Sequence, residues 1–398
     1  MVEPRNLDTA VIDLDAVVAD TPGAHRGVFL DSAGSSLPPV RVLDEVVNHL
    51  RREAEVGGYR AAAERDDDLS AGYEVLARML GCDADEVAFT DSATRSWLAA
   101  FDAIPLAPGD RILSTEAEYG GNAVPLLRRA AEAGATVEPI PSDSSGAVDV
   151  SALRSMLDDR VRLVSLVHVP TNGGLVNPAE AVIEAAHEAG ALVMLDACQS
   201  VGQVALTGLD ADIVTGSGRK WLRGPRGTGF LVVRGRIRDR LLPRQVDLHS
   251  GTWETPDRFS LRQDARVFEL WESSIADRLG LIAAVRYALD LGIDNIEATV
   301  RSRAEHLRAG LAELPGVTVH DLGTHRCGLV TFTVDGVAPA TVRDHLLDHH
   351  ITVTLSATTS TQYDMTRRGL DVIVRASPHY FITPAQLDDA IAAVAAMT

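Results

Sequence analysis

The sequence predicts an α/β protein: a large domain on a mostly parallel sheet, then a smaller α+β C-terminal domain. Three observations predict it. Between residues 86 and 233, short apolar runs alternate with segments of helical periodicity. Those runs are apolar at successive positions, as in Leu192-Val193-Met194-Leu195, the pattern of strands covered on both faces. Past about Ala265 the texture changes to a long helical region followed by short strands and helices. The chain has 398 residues and is 46% hydrophobic, ample for more than one core.

Residues 1–26 read as an N-terminal arm with one short helical stretch, 27–264 as the large domain and 265–398 as the small one. Glu86–Thr90 is a short strand, followed by a helix from about Ser92 to Ala103. Arg111–Ser114 is a strand, Ala123–Glu132 a helix and Thr136–Ile140 the next strand. Leu163–Val169 has strand character. For the following helix, Asn177 is the expected cap, Pro178 the first helical residue, Glu180 the capping-box partner and Gly190 the terminator. Leu192–Leu195 is a buried strand that delivers Asp196 at its end. Ile213–Thr215 and Gly229–Val233 continue the sheet. In the small domain, helices are expected over Ile275–Leu291 and Ile296–Leu314. Val317–His320 and Gly328–Val334 are strands, Ala338–His349 a helix, Thr352–Leu355 and Val372–Arg375 strands, and Pro384–Ala396 the last helix.

The formal net charge of −19 and the unclustered basic residues argue against a nucleic-acid partner. Three well-separated cysteines, Cys82, Cys198 and Cys327, make no disulfide framework and no zinc spacing, so no metal is expected and a reducing cytoplasm is the plain location. Met1 to Asp20 lacks a signal-peptide apolar core, and no apolar run is long enough to span a bilayer.

Ligands of open α/β sheets bind outside the carboxyl ends of the strands, and the chemistry-bearing residues gather there. In Thr90-Asp91-Ser92-Ala93-Thr94, the free N–H groups of a helix start suit a phosphate; Asp91 or Ser92 also serves as a plain helix cap. In Glu118-Tyr119-Gly120-Gly121-Asn122, Tyr119 can lie flat on an aromatic cofactor; an ordinary turn is the alternative. His168-Val169-Pro170-Thr171-Asn172-Gly173-Gly174 can set a polar group beside a ring oxygen, or simply end a strand. Asp196 at a strand end can hold a pyridine ring protonated, and Gln199 can bond its phenolic oxygen; Asp196 can equally cap a turn. In Ser217-Gly218-Arg219-Lys220, Ser217 and Arg219 can grip phosphate and Lys220 can form a Schiff base with an aldehyde. Most lysines are solvated, but Trp221-Leu222 and the turn Gly224-Pro225-Arg226-Gly227 give this one a packed setting. Arg375 at a strand end can hold a carboxylate, or join an ion pair. Together, a lysine nucleophile and a strand-end carboxylate suggest pyridoxal phosphate (PLP) chemistry.

On the ordered set Phe89-Thr90…Ala93-Thr94, Asp196…Gln199 and Ser217-Gly218-Arg219-Lys220, the chain resembles fold-type I PLP enzymes of aminotransferase class V, the group of cysteine desulfurases, isopenicillin N epimerase and kynureninase. The resemblance runs from Leu30-Asp31-Ser32-Ala33-Gly34 to the final helix. It implies Lys220 as the Schiff-base lysine, Asp196 on the ring nitrogen and Gln199 on the ring oxygen. Ala93, Thr94, Ser217 and Arg219 would hold phosphate, Tyr119 would stack on the ring, and Arg375 would bind substrate carboxylate. It also implies a homodimer. Within the class, Arg52-Glu53-Ala54-Glu55-Val56-Gly57-Gly58-Tyr59, Glu118-Tyr119-Gly120, Arg219-Lys220-Trp221-Leu222 with Gly224-Pro225-Arg226-Gly227, and Ser377-Pro378-His379 are similar to hercynylcysteine sulfoxide lyases.

The chain also departs from the class. Arg219 replaces the usual histidine before the lysine, and Tyr119 the usual stacking histidine. The common asparagine of the third loop falls at Thr171 by counting, with Asn172 adjacent. No clean match for the threonine lent by a partner subunit stands near Glu272-Ser273-Ser274.

Proton removal from Cα by Lys220 is common to the class, and the later steps set the outcome. With a sulfur leaving group on Cβ, the product is that of a C–S β-lyase, the leading expectation, on a cysteine S-conjugate or its sulfoxide. An aminotransferase and an amino-acid epimerase are alternatives. A cysteine desulfurase needs a nucleophilic thiol on a mobile C-terminal loop, and Ser356 to Gly369 has none; Cys327 and Cys198 are the remaining thiols to weigh. A PLP-binding regulator is the non-enzyme alternative. Tyr59, Arg60, Trp253, Trp271, Tyr363 and Arg367 are candidate selectors of the substrate side chain.

Overall fold

The computed structural model describes residues 12–398. Of the expected N-terminal arm, residues 1–11 lie outside this range. The rest holds a short helix, Leu14–Ala19, and a 3-10 turn, Pro22–His25.

The large sheet has seven strands: β1 Val87–Thr90, β2 Arg111–Thr115, β3 Thr136–Ile140, β4 Val161–Val167, β5 Leu192–Asp196, β6 Ile213–Ser217 and β7 Gly229–Val233. Their order is β1-β7-β6-β5-β4-β2-β3. All pairs are parallel except those of β7, which runs against both its neighbours. The apolar runs are explained by cover on both faces. Along β5, Val193 and Leu195 enter one core cluster while Leu192 and Met194 enter the other. Reversal of β7 has a consequence for function. Gly229, its first residue, pairs with Thr90 at the end of β1 and Ser217 at the end of β6, so Thr228 and Gly229 share the edge where the other strands finish.

The helices that position the site are α1 Val40–Val56, α2 Asp66–Leu80, α3 Ala93–Ala103, α4 Gly120–Ala133, α5 Ala179–Glu188 and α6 Ile275–Leu291. Ser92 caps α3 by accepting from the Arg95 N–H. α4 begins at Gly120, earlier than expected, and continues through Pro125, which falls in its second turn. The expected start of α5 is corrected. Pro178 occupies the cap position with no side-chain hydrogen bond, and no capping box forms. Asn177 instead accepts from the Val148 N–H at 3.0 Å and donates to the Val167 carbonyl at 2.7 Å, tying a loop to the end of β4. Two backbone groups that would be orphaned in the interior outcompete the helix cap. Gly190 follows the helix at φ +76°, the left-handed conformation that ends it.

The C-terminal part carries a four-stranded antiparallel sheet of β8 Val317–Val319, β9 Val330–Val334, β10 Thr354–Ala357 and β11 Val372–Ala376, in the order β8-β9-β11-β10. Val28–Phe29 pairs in parallel with Ile351–Thr352, and Asp31 bridges to Ser377. These links carry the residue-30 segment to the end of β11, where Arg375 lies. No described helix is long and apolar enough to cross a membrane.

Candidate active site

The carboxyl ends of the strands open into a cavity of about 350 Å³, within the range of small-molecule sites. Ala93, Thr94, Tyr119, Asp196, Gln199, Ser217, Arg219 and Lys220 all line it, so eight of the nine expected residues face one space. Arg375 does not line it.

At one end stands the start of α3. The first N–H groups of a helix have no partner within it, and Ser92 satisfies only that of Arg95, which leaves Ala93 and Thr94 free to face an anion. Ser217, Arg226 and Thr228 surround the same end. Arg219 lies beside it, donating to the Gly34 carbonyl. The close approach depends on Gly229, whose missing Cβ would lie 2.5 Å from the Ser92 carbonyl carbon and 2.7 Å from the Ala93 nitrogen.

At the other end Asp196 closes β5. Its Oδ1 accepts from the Cys198 N–H at 2.9 Å and its Oδ2 from Asn122 Nδ2 at 2.8 Å. Thr215, paired with Asp196 across β5 and β6, lines the cavity with a buried hydroxyl that has no partner. Gln199 is held by two bonds, donating to the Ala33 carbonyl at 3.1 Å and accepting from the Trp221 indole at 2.9 Å, which leaves its second amide hydrogen free. Tyr119 caps α4 at the cavity mouth, its ring over Gly121, where a Cβ would lie 2.5 Å from the ring.

The Lys220 side chain has no hydrogen-bond or ion-pair partner among the described residues. Burial holds its ammonium below the usual range, and the Arg219 and Arg375 charges act in the same direction, against Cys198 and Asp196. Lowering of this kind favours the neutral, nucleophilic form of the amine.

Arg375 takes part in the ion pair that the sequence leaves open beside carboxylate binding. It is buried behind Thr171, donating to Thr171 Oγ1 at 2.7 Å and lying 3.4 Å from Asp31 Oδ1. Its Nε has no partner. Burial raises the Asp31 carboxyl, and Arg375 opposes the rise. The N-terminal segment brings in that counter-ion, a contact invisible to local pattern.

The third loop also resolves. Thr171 lines the cavity, whereas Asn172 turns away to donate to Thr361 Oγ1 at 3.0 Å. Val167 and Val169 face the cavity, and His168, between them in sequence, is buried elsewhere and pushed down to about 4 by burial. None of the six candidate selectors lines the cavity; Tyr59 and Trp253 are exposed, and Arg367 pairs with Glu116. Sequence reasoning assigned no role to Asn122, Thr215, Arg226, Thr228 or Trp97. Trp97 alone carried a local signal, one helical turn beyond Thr94 on the same face of α3.

The arrangement fits an aromatic aldehyde phosphate. An anion cradle stands at one end, an ionisable acid and an orphaned hydroxyl at the other, and an unpartnered amine faces the same space. These features define an α/β enzyme built to hold such a cofactor at the strand ends. The chain belongs to the aminotransferase class-V family, whose model matches residues 28–389.

It is 31% identical over 370 residues to a cysteine desulfurase of Haloferax volcanii, covering 82% of this chain and 83% of that protein. It is 32% identical over 384 residues to a probable hercynylcysteine sulfoxide lyase of Mycobacterium tuberculosis, covering 94% and 90%. Among solved structures, an apo cysteine desulfurase from Thermococcus onnurineus superposes with a TM-score of 0.91 at 24% identity, covering 98% of both chains, a likeness of fold.

Proposed function

We propose that this chain is a PLP-dependent C–S β-lyase, cytoplasmic and homodimeric, that acts on a cysteine S-conjugate or its sulfoxide. Family membership and the donor set of the cavity support PLP as the cofactor. When bound, PLP draws electrons from Cα of an attached amino acid and makes its proton acidic.

The residues divide the work. The N–H groups of Ala93 and Thr94, with Thr94, Ser217 and Arg219, hold the phosphate. Tyr119 covers one ring face. Asp196 keeps the ring nitrogen protonated, and the free amide hydrogen of Gln199 serves the ring oxygen. Arg375 receives the substrate carboxylate, with Asp31 as its resting counter-ion, and so fixes the orientation of Cα–H. Lys220, whose ammonium burial holds below the usual range, takes the Cα proton. Loss of sulfur from Cβ and hydrolysis then convert the conjugate and one water into pyruvate, ammonia and a thiol, or a sulfenic acid from a sulfoxide.

The observation that favours a lyase over a desulfurase is the placement of the thiols. Cys327 is buried, with burial pushing its thiol up to about 12, and neither it nor Cys82 lines the cavity. Cys198 does, but burial and then the Asp196 charge hold its thiol well above the usual range. The segment 356–369 is a strand end, a 3-10 turn and a helix, Gln362–Arg367, fastened by Asn172 and Glu116, and it contains no cysteine.

The experiment supplies S-substituted cysteines, their sulfoxides, cysteine, and alanine with a keto acid. Pyruvate formed without a keto acid supports the lyase. Alanine with transferable sulfur from cysteine identifies a desulfurase, and keto-acid-dependent amino transfer an aminotransferase. Borohydride treatment should fix the cofactor covalently on Lys220; an adduct on another amine would refute the site.

A further inference from the structure

Behind Asp196, away from the cavity, lies a second carboxyl group that the lyase reaction does not use. Glu118 is 2% exposed and does not line the cavity. Asn122 joins it to Asp196: the one amide nitrogen donates to Glu118 Oε1 at 3.1 Å and to Asp196 Oδ2 at 2.8 Å. Neither acid has a salt-bridge partner among the described residues. Two carboxyl groups sharing one amide, both largely buried and neither in a salt bridge with a described residue, repel each other, which favours one of them keeping its proton.

Hydrogen-bond directions identify which. Glu118 Oε1 faces two obligatory donors, the Tyr119 N–H at 2.9 Å and Asn122, so it must be an acceptor. Asp196 is bound on both oxygens by N–H donors, which leaves no place for an acid proton directed at either partner. Glu118 Oε2 lies 2.8 Å from Ser165 Oγ, and a hydroxyl accepts as well as donates. It is the one contact in the set that can reverse. Ser114, at the paired position on β2, has a buried hydroxyl without a partner. Burial, reinforced by the Asp196 charge, pushes the Glu118 carboxyl up to about 8.

We propose that Glu118 is a positioning residue held as the neutral acid, its Oε2–H donating to Ser165 Oγ, which through Asn122 keeps Asp196 as the carboxylate that faces the cofactor ring. The functional meaning of this arrangement rests on the PLP reading; the location of the proton does not.

The test is infrared spectroscopy of the purified holoprotein at neutral pH, in water and in D2O, with Glu118→Gln alongside. Wild type should show a protonated-carboxyl stretch, shifted in D2O, that is missing from the variant. Glutamine reproduces the neutral acid, with Oε1 accepting and Nε2 donating to Ser165. It should therefore fold, whereas Glu118→Ala should weaken PLP binding by about tenfold or more, and Gln should restore it to within about threefold. No such band in wild type, a band unchanged in Glu118→Gln, a glutamine variant that does not fold, or one that binds PLP as poorly as the alanine variant would each overturn the proposal. If wild type takes up no PLP, the infrared comparison still locates the proton and only the cofactor reading falls.

Discussion

Gly229→Ala tests whether the reversed strand β7 sets the phosphate end of the site. The added Cβ would lie 2.5 Å from the Ser92 carbonyl carbon, 2.7 Å from the Ala93 nitrogen and 2.9 Å from the Ser92 oxygen. Ordinary carbon contacts are about 3.5–4.0 Å, so the shortfall is about 1 Å. Every opposing atom is backbone, and no rotamer change relieves the clash. Either β7 or the start of α3 must move, at a cost of about 1–3 kcal/mol. Movement of α3 carries the N–H groups of Ala93 and Thr94 away from the phosphate. PLP dissociation should rise by about tenfold, which is about 1.4 kcal/mol. The assay is titration of apoprotein with PLP, followed by absorbance and tyrosine or tryptophan quenching. Gly58→Ala is the control, because its Cβ meets nothing within 4 Å and its φ is not in the left-handed range. Wild-type PLP affinity in Gly229→Ala would refute the reasoning.

Lys220→Met should raise the melting temperature of the apoprotein at neutral pH. The folded-state pKa of Lys220 lies below its usual 10.5, so the folded protein binds that proton less well than the unfolded chain. The resulting penalty is greatest below the folded pKa and fades as pH rises to 10.5, and the advantage of methionine should shrink over the same window; a gap constant with pH would contradict this. Arg223 is fully buried at φ 62°, bonding the Leu37 carbonyl, Tyr380 and Thr21 and lying 4.6 Å from the Phe381 ring. Arg223→Met should cost about 3 kcal/mol or more in chemical denaturation, and a loss under about 1 kcal/mol would show that these contacts contribute little. The double variant Cys82→Ala, Cys327→Ala should release pyruvate from an S-substituted cysteine as wild type does; loss of activity in the folded variant would revive a persulfide carrier.

Legibility of the sequence followed the range of the interactions. Strands such as Leu192–Asp196 were readable because burial on both faces demands an unbroken apolar run. Ser217, Arg219 and Lys220 were readable because one turn of chain carries them to a strand end. The α5 cap was misread because the competing partners of Asn177, at Val148 and Val167, are 29 and 10 residues away. The ion-pair partner of Arg375 was not readable, because Asp31 is 344 residues distant and arrives by way of strand pairing.

Taken alone, the order of residues was enough to establish an open α/β sheet, a lysine and an aspartate at its strand ends, and the family chemistry they imply. Periodicity and short motifs are local properties, and local properties survive in one dimension. The tertiary structure decided which of Thr171 and Asn172 faces the cavity, what neutralises Arg375, and that Asn122 couples Asp196 to a second acid. Each depends on the register of strands and helices far apart in the chain, set by the packing of the whole core, and no window of sequence contains it.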